Sequence, residues 1–342
     1  EALLALDLVE CADDLAEGEV EAGGGVGVFG GSVAGEQEDE VDELVGDGDL
    51  DGAGGIAGPD ESVVGVEEAD RIIRGIRLEH EAVGPCGDEE RAGEAELVNA
   101  PANELVATAE AGGFDLIFAS HVLFNSGAII SDLERLAALA KPEGPWVVVD
   151  GYHGFMAIET DLSAVADRIF YLSGGYKYAM AGEGICFLHA PPGFAPRPVV
   201  TGWYAAFEDL ALPPGAVGYA QDGGRFLGST FDASGLYRFN AVRRMLDGEG
   251  LTTSKISAHV ASLQRRFVEA DATPGYELLN PLSEGPHARF LAYRGHSAPS
   301  LHAELEARNV ITDVRGDVLR IGFGIYQNPQ DVDRLVDILR ST

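Results

Sequence analysis

From residue 114 to the C-terminus, apolar and polar positions fall into two textures. Short apolar runs occupy residues 114–119, 145–149, 168–172 and 184–189. The run at 145–149, Pro-Trp-Val-Val-Val, is continuous, as expected of a strand covered on both faces. Ser131-Asp-Leu-Glu134 predicts a capping box opening a helix over 133–140, and Asp161 predicts the cap of a short helix over 162–166. Strands alternating with helices imply a parallel-rich sheet whose ligand lies beyond the carboxyl ends of its strands. The residues that follow each strand are therefore the ones to inspect for chemistry.

Beyond residue 235 the texture changes to long helices, over 237–246 and 252–270, with apolar positions at helical spacing and basic residues between them. A strand over 289–293, a helix over 298–308, strands over 310–312 and 318–323 and a helix over 330–339 follow. The pattern predicts an α/β protein with a large, mainly parallel domain over 93–240 and a smaller α/β domain over 241–342.

The first 92 residues do not share this pattern. They hold 27 acidic residues against four arginines, a local net of −23 out of the chain's −34. They also hold 18 glycines, one aromatic residue (Phe29) and no lysine. Such a composition buries too little apolar surface to offset its ordering entropy. Helical potential is confined to short stretches at 1–9 and 69–78. Three explanations stand side by side: an acidic flexible extension, a salt-adapted surface, or a wrong-frame reading of a GC-rich gene joined to the true frame near residues 93–100. The last predicts a frame change in the underlying DNA. On any of them the large domain is incomplete on its N-terminal side.

Within this block Gly25-Val-Gly27-Val-Phe-Gly30 fits a dinucleotide-binding pattern. That pattern has mechanical meaning only between a strand and a helix. Here it follows a charged stretch and runs into Gly-Ser-Val-Ala-Gly, so it is set aside.

The net charge of −34 repels phosphates and weighs against nucleic acid or an anionic membrane as partner. No uncharged apolar run reaches the roughly 18–20 residues of a membrane span, and the chain opens on Glu1 without a basic leader. Cys11, Cys86 and Cys186 lack disulfide or metal spacing. A cytoplasmic protein is expected.

Two residues carry candidate chemistry. Asp150 directly follows the apolar run 145–149, with His153 three positions on. A carboxylate there serves as metal ligand, general base or counter-ion to a cationic ring, or merely caps a turn. Lys177 follows the next run, inside Ser173-Gly-Gly-Tyr-Lys-Tyr-Ala-Met-Ala-Gly-Glu-Gly184. The glycines let backbone approach a ligand, and Tyr176 and Tyr178 shield the amine. Such shielding lowers a lysine's pKa and makes it a nucleophile toward carbonyls. A solvated loop lysine is the plainer alternative. An acid after one strand and a lysine after the next belong at one edge of the sheet.

Asp150-Gly-Tyr-His153, Ser173-Gly-Gly-Tyr-Lys177 and Gly202-Trp203 together resemble the class V aminotransferase superfamily, most closely kynureninase and its bacterial relatives, from about residue 114 onward. The resemblance implies fold type I, a homodimer and a pyridoxal 5'-phosphate (PLP) cofactor. It implies Lys177 as the Schiff-base lysine, Asp150 paired with the pyridine N–H and His153 close to that pair. Tyr176 and Trp203 would contact the cofactor phosphate, Trp203 from the partner subunit. In the segment 313–326, Arg320, with Arg315 second, would grip the substrate α-carboxylate, as a bidentate guanidinium does; a strand-surface arginine is the plainer alternative. Gly228–Asp232 stands where kynureninases carry an asparagine on the substrate's ring side, which nominates Thr230. The family's phosphate-binding hydroxyl and ring-stacking aromatic have no equivalent in residues 1–92.

The implied substrate is an amino acid, with two outcomes in view: hydrolysis of its Cβ–Cγ bond, as in kynureninase, or transamination. Cysteine desulfurase is disfavoured because no cysteine follows Cys186. Two rival readings are a metal-dependent hydrolase built on Asp150, His153 and His121, and an inactive chain spoiled by its N-terminal block. Ser120, His121 and Asn125 follow the first strand and are candidates for the pocket wall without an assigned role.

Overall fold

The computed structural model describes residues 96–199, 201–209, 213, 218–283 and 285–341, together with strands β1 (Ala2–Ala5), β2 (Val26–Gly30) and β3 (Arg74–Arg77). β4 (Glu96–Val98) leads through helix α1 (Leu105–Glu110) to β5 (Leu116–Ser120), α2 (Leu133–Leu139), β6 (Trp146–Asp150), β7 (Ile169–Gly174) and β8 (Cys186–His189). The sheet runs β1-β2-β8-β7-β6-β5-β3-β4. Its heart, β5-β6-β7, is parallel, and the flanking pairs are antiparallel. Ile117, Val147, Val149 and Ile169 share one face by register and are at most 1% exposed, while on the other face Phe170 is 4% exposed and Phe118 and Val148 are half-buried, so one face is fully covered and the other partly. The four predicted strands thus form within two residues of their expected bounds.

The parallel register sets Ser120 beside Asp150 and Asp150 beside Leu172. Three strands therefore end at one edge. β7 extends to Gly174, and Lys177 follows in the turn.

Several local expectations change. The Ser131 capping box does not form: Asp132 occupies the cap position of α2 and its side chain makes no capping bond. Asp161 does accept the Ser163 N–H at 2.9 Å, but residues 163–168 are consecutive turns, not a helix. The helical stretches expected at 1–9 and 69–78 contain strands β1 and β3; their remaining residues lie outside the described ones. Residues 26–30 are themselves a strand paired with β8, so the glycine pattern there is no strand-to-helix turn.

The C-terminal part follows the predicted order: α3 (Ser234–Gly248), α4 (Thr253–Glu269), β9 (Glu277–Leu278), β10 (Phe290–Arg294), α5 (Ala298–Glu306), β11 (Asp313–Arg315), β12 (Val318–Gly322) and α6 (Pro329–Arg340). β9 was not expected, α3 starts three residues before the helix expected at 237–246, and β11 starts three residues later than the strand expected at 310–312. Its sheet, β11-β12-β10-β9, is antiparallel throughout. Thr252 caps α4 by accepting the Lys255 N–H at 3.2 Å, and Asn328 and Asp331 form a capping box on α6 with Pro329 in its first turn. Ile256, Val260, Leu263 and Phe267 make a buried stripe on α4, each worth about 1.5–3 kcal/mol of burial. α4 and α6 are tied at the surface by Arg266–Asp333 at 2.7 Å.

The two parts are latched by Arg289, 3% exposed, just before β10. Its guanidinium donates to the carbonyls of Met156 and Ala157, from the turns after β6, and lies 5.5 Å from the Tyr178 ring centre. Among the described residues, no helix is long and apolar enough to cross a membrane.

Candidate functional site

A cavity of about 550 Å³ opens at the carboxyl edge of β5, β6 and β7. Ser120, Asp150, His153, Tyr176, Lys177 and Arg320 are among its walls, with Tyr152, Phe124 and Arg315. An adjoining cavity of about 540 Å³ shares His153, Lys177 and Arg320 and continues along Tyr178, Phe290 and the β12 segment.

Asp150 is pinned from two sides. Its Oδ1 accepts the Tyr152 N–H at 2.9 Å, and Oδ2 accepts the Ser120 hydroxyl at 3.5 Å. Lys177 Nζ lies 2.9 Å from His153 Nε2 and 3.2 Å from Nδ1, with the Tyr176 and Tyr152 ring centres at 5.6 and 6.0 Å. Burial lowers the Lys177 pKa; the Asp150 carboxylate opposes this, and Arg320 and Arg315 add to it. His153 is pushed down to about 3, by burial first and then by Lys177 and Arg320. The imidazole is therefore neutral at physiological pH and free to accept a hydrogen bond from the amine. Burial pushes Tyr178 up to about 12, against the pull of Arg289 and Arg320, so it is a neutral phenol.

Packing fixes this wall. A side chain on Gly151 would overlap the Tyr171 hydroxyl at 2.1 Å, and one on Gly175 would meet Ile185 Cγ2 at 2.4 Å. The loop from Gly175 is closed at its base by Gly175 N–H to Ile185 O (2.9 Å) and Ala181 N–H to Gly175 O (2.8 Å). Lys177 thus projects from a short loop that glycine alone allows to sit so low.

The facing wall is a strand pair. Antiparallel register sets Asp313 opposite Arg320, and Arg315 two residues from Asp313 shares its face. Arg320 donates to Asp313 and to the Phe124 carbonyl, while its buried Nε has no partner. Burial lowers its pKa.

The structure brings Asp150, His153, Tyr176, Lys177 and Arg320 together. Trp203 and Thr230 stand outside both cavity walls. Trp203 is 48% exposed in the 3₁₀ turn Trp203–Asp209, and the exposed Thr230 follows the neighbouring segment, whose Leu227 and Gly228 carbonyls accept the Gly202 and Tyr204 N–H groups. Ser120, without a role in the sequence, supports Asp150. His121 and Asn125 are buried and line neither cavity, and among the described residues no three His, Cys, Asp or Glu side chains cluster as a metal site would need, so the metal trio of Asp150, His153 and His121 is not assembled. Tyr152 was not singled out; the signal available was Gly174, where a side chain would meet the Tyr152 ring at 2.6 Å.

The donor set fits a ring cofactor bearing an aldehyde: an amine of lowered pKa and a carboxylate held at a fixed angle share one wall, with neutral His153 between the walls. Among the described residues no further cationic group beyond Lys177, Arg315 and Arg320 lines the first cavity.

Comparison with known proteins agrees with this reading. The model of the kynureninase C-terminal domain matches residues 254–339. The chain is 32% identical over 270 residues to isopenicillin N epimerase of Streptomyces clavuligerus, covering 71% of this chain and 65% of that protein. It is 26% identical to a probable cysteine desulfurase of Vibrio cholerae, covering 60% and 52%. Its fold matches the apo structure of a cysteine desulfurase from Thermococcus onnurineus with a TM-score of 0.57 at 20% identity, covering 70% and 62%. The chain thus spans less than two thirds of the length of each of these. Strand-end acid, loop lysine, fold and sequence relatives converge on the class V aminotransferase-like superfamily of pyridoxal-phosphate enzymes, and the fold is type I.

Proposed function

We propose that this protein is a PLP-dependent enzyme that acts on an amino acid through Lys177, and that its reaction is kynureninase-like hydrolysis of the substrate's Cβ–Cγ bond. The observation that carries the first part is the Lys177 amine and the Asp150 carboxylate in one cavity wall. The match of the kynureninase C-terminal model to residues 254–339, which include Arg320, supports the second.

PLP, when bound, supplies an aldehyde for an amine and a ring that accepts electrons from the substrate's α-carbon. Lys177 and Asp150 would hold it, with Tyr176 toward its phosphate. Asp150, oriented by Ser120 and the Tyr152 amide, supports a protonated pyridine nitrogen. Lys177, its pKa lowered, works as nucleophile and as the base that takes the α-proton. His153 accepts an N–H from Lys177 and keeps the amine aimed. Arg320 holds the α-carboxylate through its partnerless Nε and its Nη groups. In the hydrolytic reaction one water adds across the Cβ–Cγ bond, and the products are alanine and an aromatic acid.

Transamination by the same residues is the second reading, favoured by the shared superfamily machinery, which does not itself specify bond cleavage. An inactive chain is the third, resting on the acidic, glycine-rich composition of residues 1–92. We also infer a cytoplasmic homodimer in which Trp203, exposed and outside its own cavity, serves the partner's cofactor phosphate.

Protein reconstituted with PLP is expected to turn yellow and to retain a covalent pyridoxyl group on Lys177 after borohydride reduction, located by peptide mass. A pyridoxyl group on another residue overturns the lysine assignment. With L-kynurenine, release of alanine and an aromatic acid supports hydrolysis; a 2-oxo acid or its cyclised product supports transamination instead.

A further inference from the structure

We propose that Asp313 sets the charge selectivity of this site: lodged between Arg320 and Arg315, it restricts the cavity to substrates with a single carboxylate, and its removal admits dicarboxylates. The inference rests on the proposed function only in taking Arg320 as the carboxylate grip.

Strand register is the origin of the arrangement. Asp313 lies directly across from Arg320 in the β11–β12 pair, and Arg315 falls on the same face two residues along. Asp313 Oδ2 accepts from Arg320 Nη2, and its Oδ1 lies 3.5 Å from Arg315 Nη2. One carboxylate therefore bridges two guanidinium groups. Both arginines line the cavity that holds Lys177, and Asp313 lines the adjoining one.

The charges on this wall leave room for one anion. Arg289, the third arginine near the cavities, is committed to the carbonyls of Met156 and Ala157 and to the Tyr178 ring. Two guanidinium groups against one carboxylate leave a single net positive charge. The Arg320 side chain is only 14% exposed, so solvent screens it weakly and a second, unmatched anion there is costly. Arg320 keeps a buried Nε without a partner, which is free for the first carboxylate. The place a second carboxylate would take is already filled by Asp313, and like charges in that space repel.

The test uses ligands that lack an amine and so cannot react with Lys177: propionate and succinate, titrated against the full chain by ligand-observed NMR. The wild-type protein is expected to bind propionate at least as tightly as succinate. Asp313→Asn is expected to strengthen succinate about tenfold relative to propionate, while Asp313→Glu keeps the wild-type preference. An unchanged ratio in Asp313→Asn, or an equal loss of both ligands, overturns the proposal and leaves Asp313 as a scaffold for Arg320. Should Asp313→Asn fail to fold by thermal melt, Arg315→Gln decides. With Arg315 gone, Asp313 neutralises Arg320 fully, and propionate affinity should drop several-fold. Unchanged propionate binding in that variant overturns the proposal. Failure of the PLP reading shows separately, as absence of a borohydride-fixed pyridoxyl group on Lys177.

Discussion

The two walls of the cavity are built by different physics. The wall bearing Asp150, His153 and Lys177 stands on buried parallel strands and is fixed by steric fit, with glycines at 151, 174 and 175 leaving no room for a Cβ. The wall bearing Asp313, Arg315 and Arg320 stands on an antiparallel pair and is fixed by charge, with Asp313 39% exposed between two arginines. Close packing fails abruptly when a methyl group is added. Charge pairing adjusts, and it responds to salt and to pH. The site thus joins a rigid chemical half to a tunable recognition half.

The largest test of this division falls on the rigid half. Lys177→Ala should lower turnover by at least about a thousandfold with little change in melting temperature, because nucleophile and base vanish together; steady-state assay and thermal melt read the two. Gly175→Ala should cost about 1–3 kcal/mol of stability, since the new Cβ meets Ile185 and Ala181 side chains at 2.4 and 3.1 Å. Chemical denaturation measures it, and an unchanged midpoint would show that the loop is not packed as described. Arg320→Lys, on the recognition half, should raise KM about tenfold with a smaller change in kcat, because an ammonium cannot make the bidentate grip. Asp150→Asn gives the smallest and most directional effect. Asp150 is the neighbour that raises the Lys177 pKa against burial. Its loss should therefore move the amine's titration to lower pH, read as the pH dependence of amine modification in the cofactor-free protein. A shift upward would contradict the described electrostatics.

Much of the rigid half was legible in the sequence. Continuous apolar runs at 145–149 and 168–172 located β6 and β7, and the acid and lysine that follow them fall in one cavity. The β11–β12 charge cluster was only half legible. Arg320 and Arg315 were named, but Asp313 acquires its meaning from cross-strand register, which a one-residue slip would reverse. Ser120 and Tyr152 went without roles because strand pairing brings Ser120 to Asp150 across 30 residues, and a backbone amide, not a side chain, ties Tyr152 to it. The capping box at Ser131 failed for a local reason: α2 starts one residue late for it, with Asp132 in the cap position. Trp203 and Thr230, nominated by resemblance, share a surface away from the cavity walls, where one protomer alone gives them no partner in the chemistry. In residues 1–92, acid and glycine in excess left no pattern from which β1, β2 or β3 might have been read.

Arg289 carries a mechanical consequence. Its guanidinium fastens the start of β10 to the Met156 and Ala157 carbonyls, three and four residues beyond His153. Freeing it would strand the Met156 carbonyl and a cation out of water, at a cost of several kcal/mol, while the Ala157 carbonyl would keep the Ser257 hydroxyl at 2.7 Å. The C-terminal sheet and the turn that carries His153 therefore travel as one body, with Arg289 as fulcrum. Any breathing that admits substrate is directed to the far rim, where Ile311 and Tyr326, 95% and 82% exposed, border the adjoining cavity.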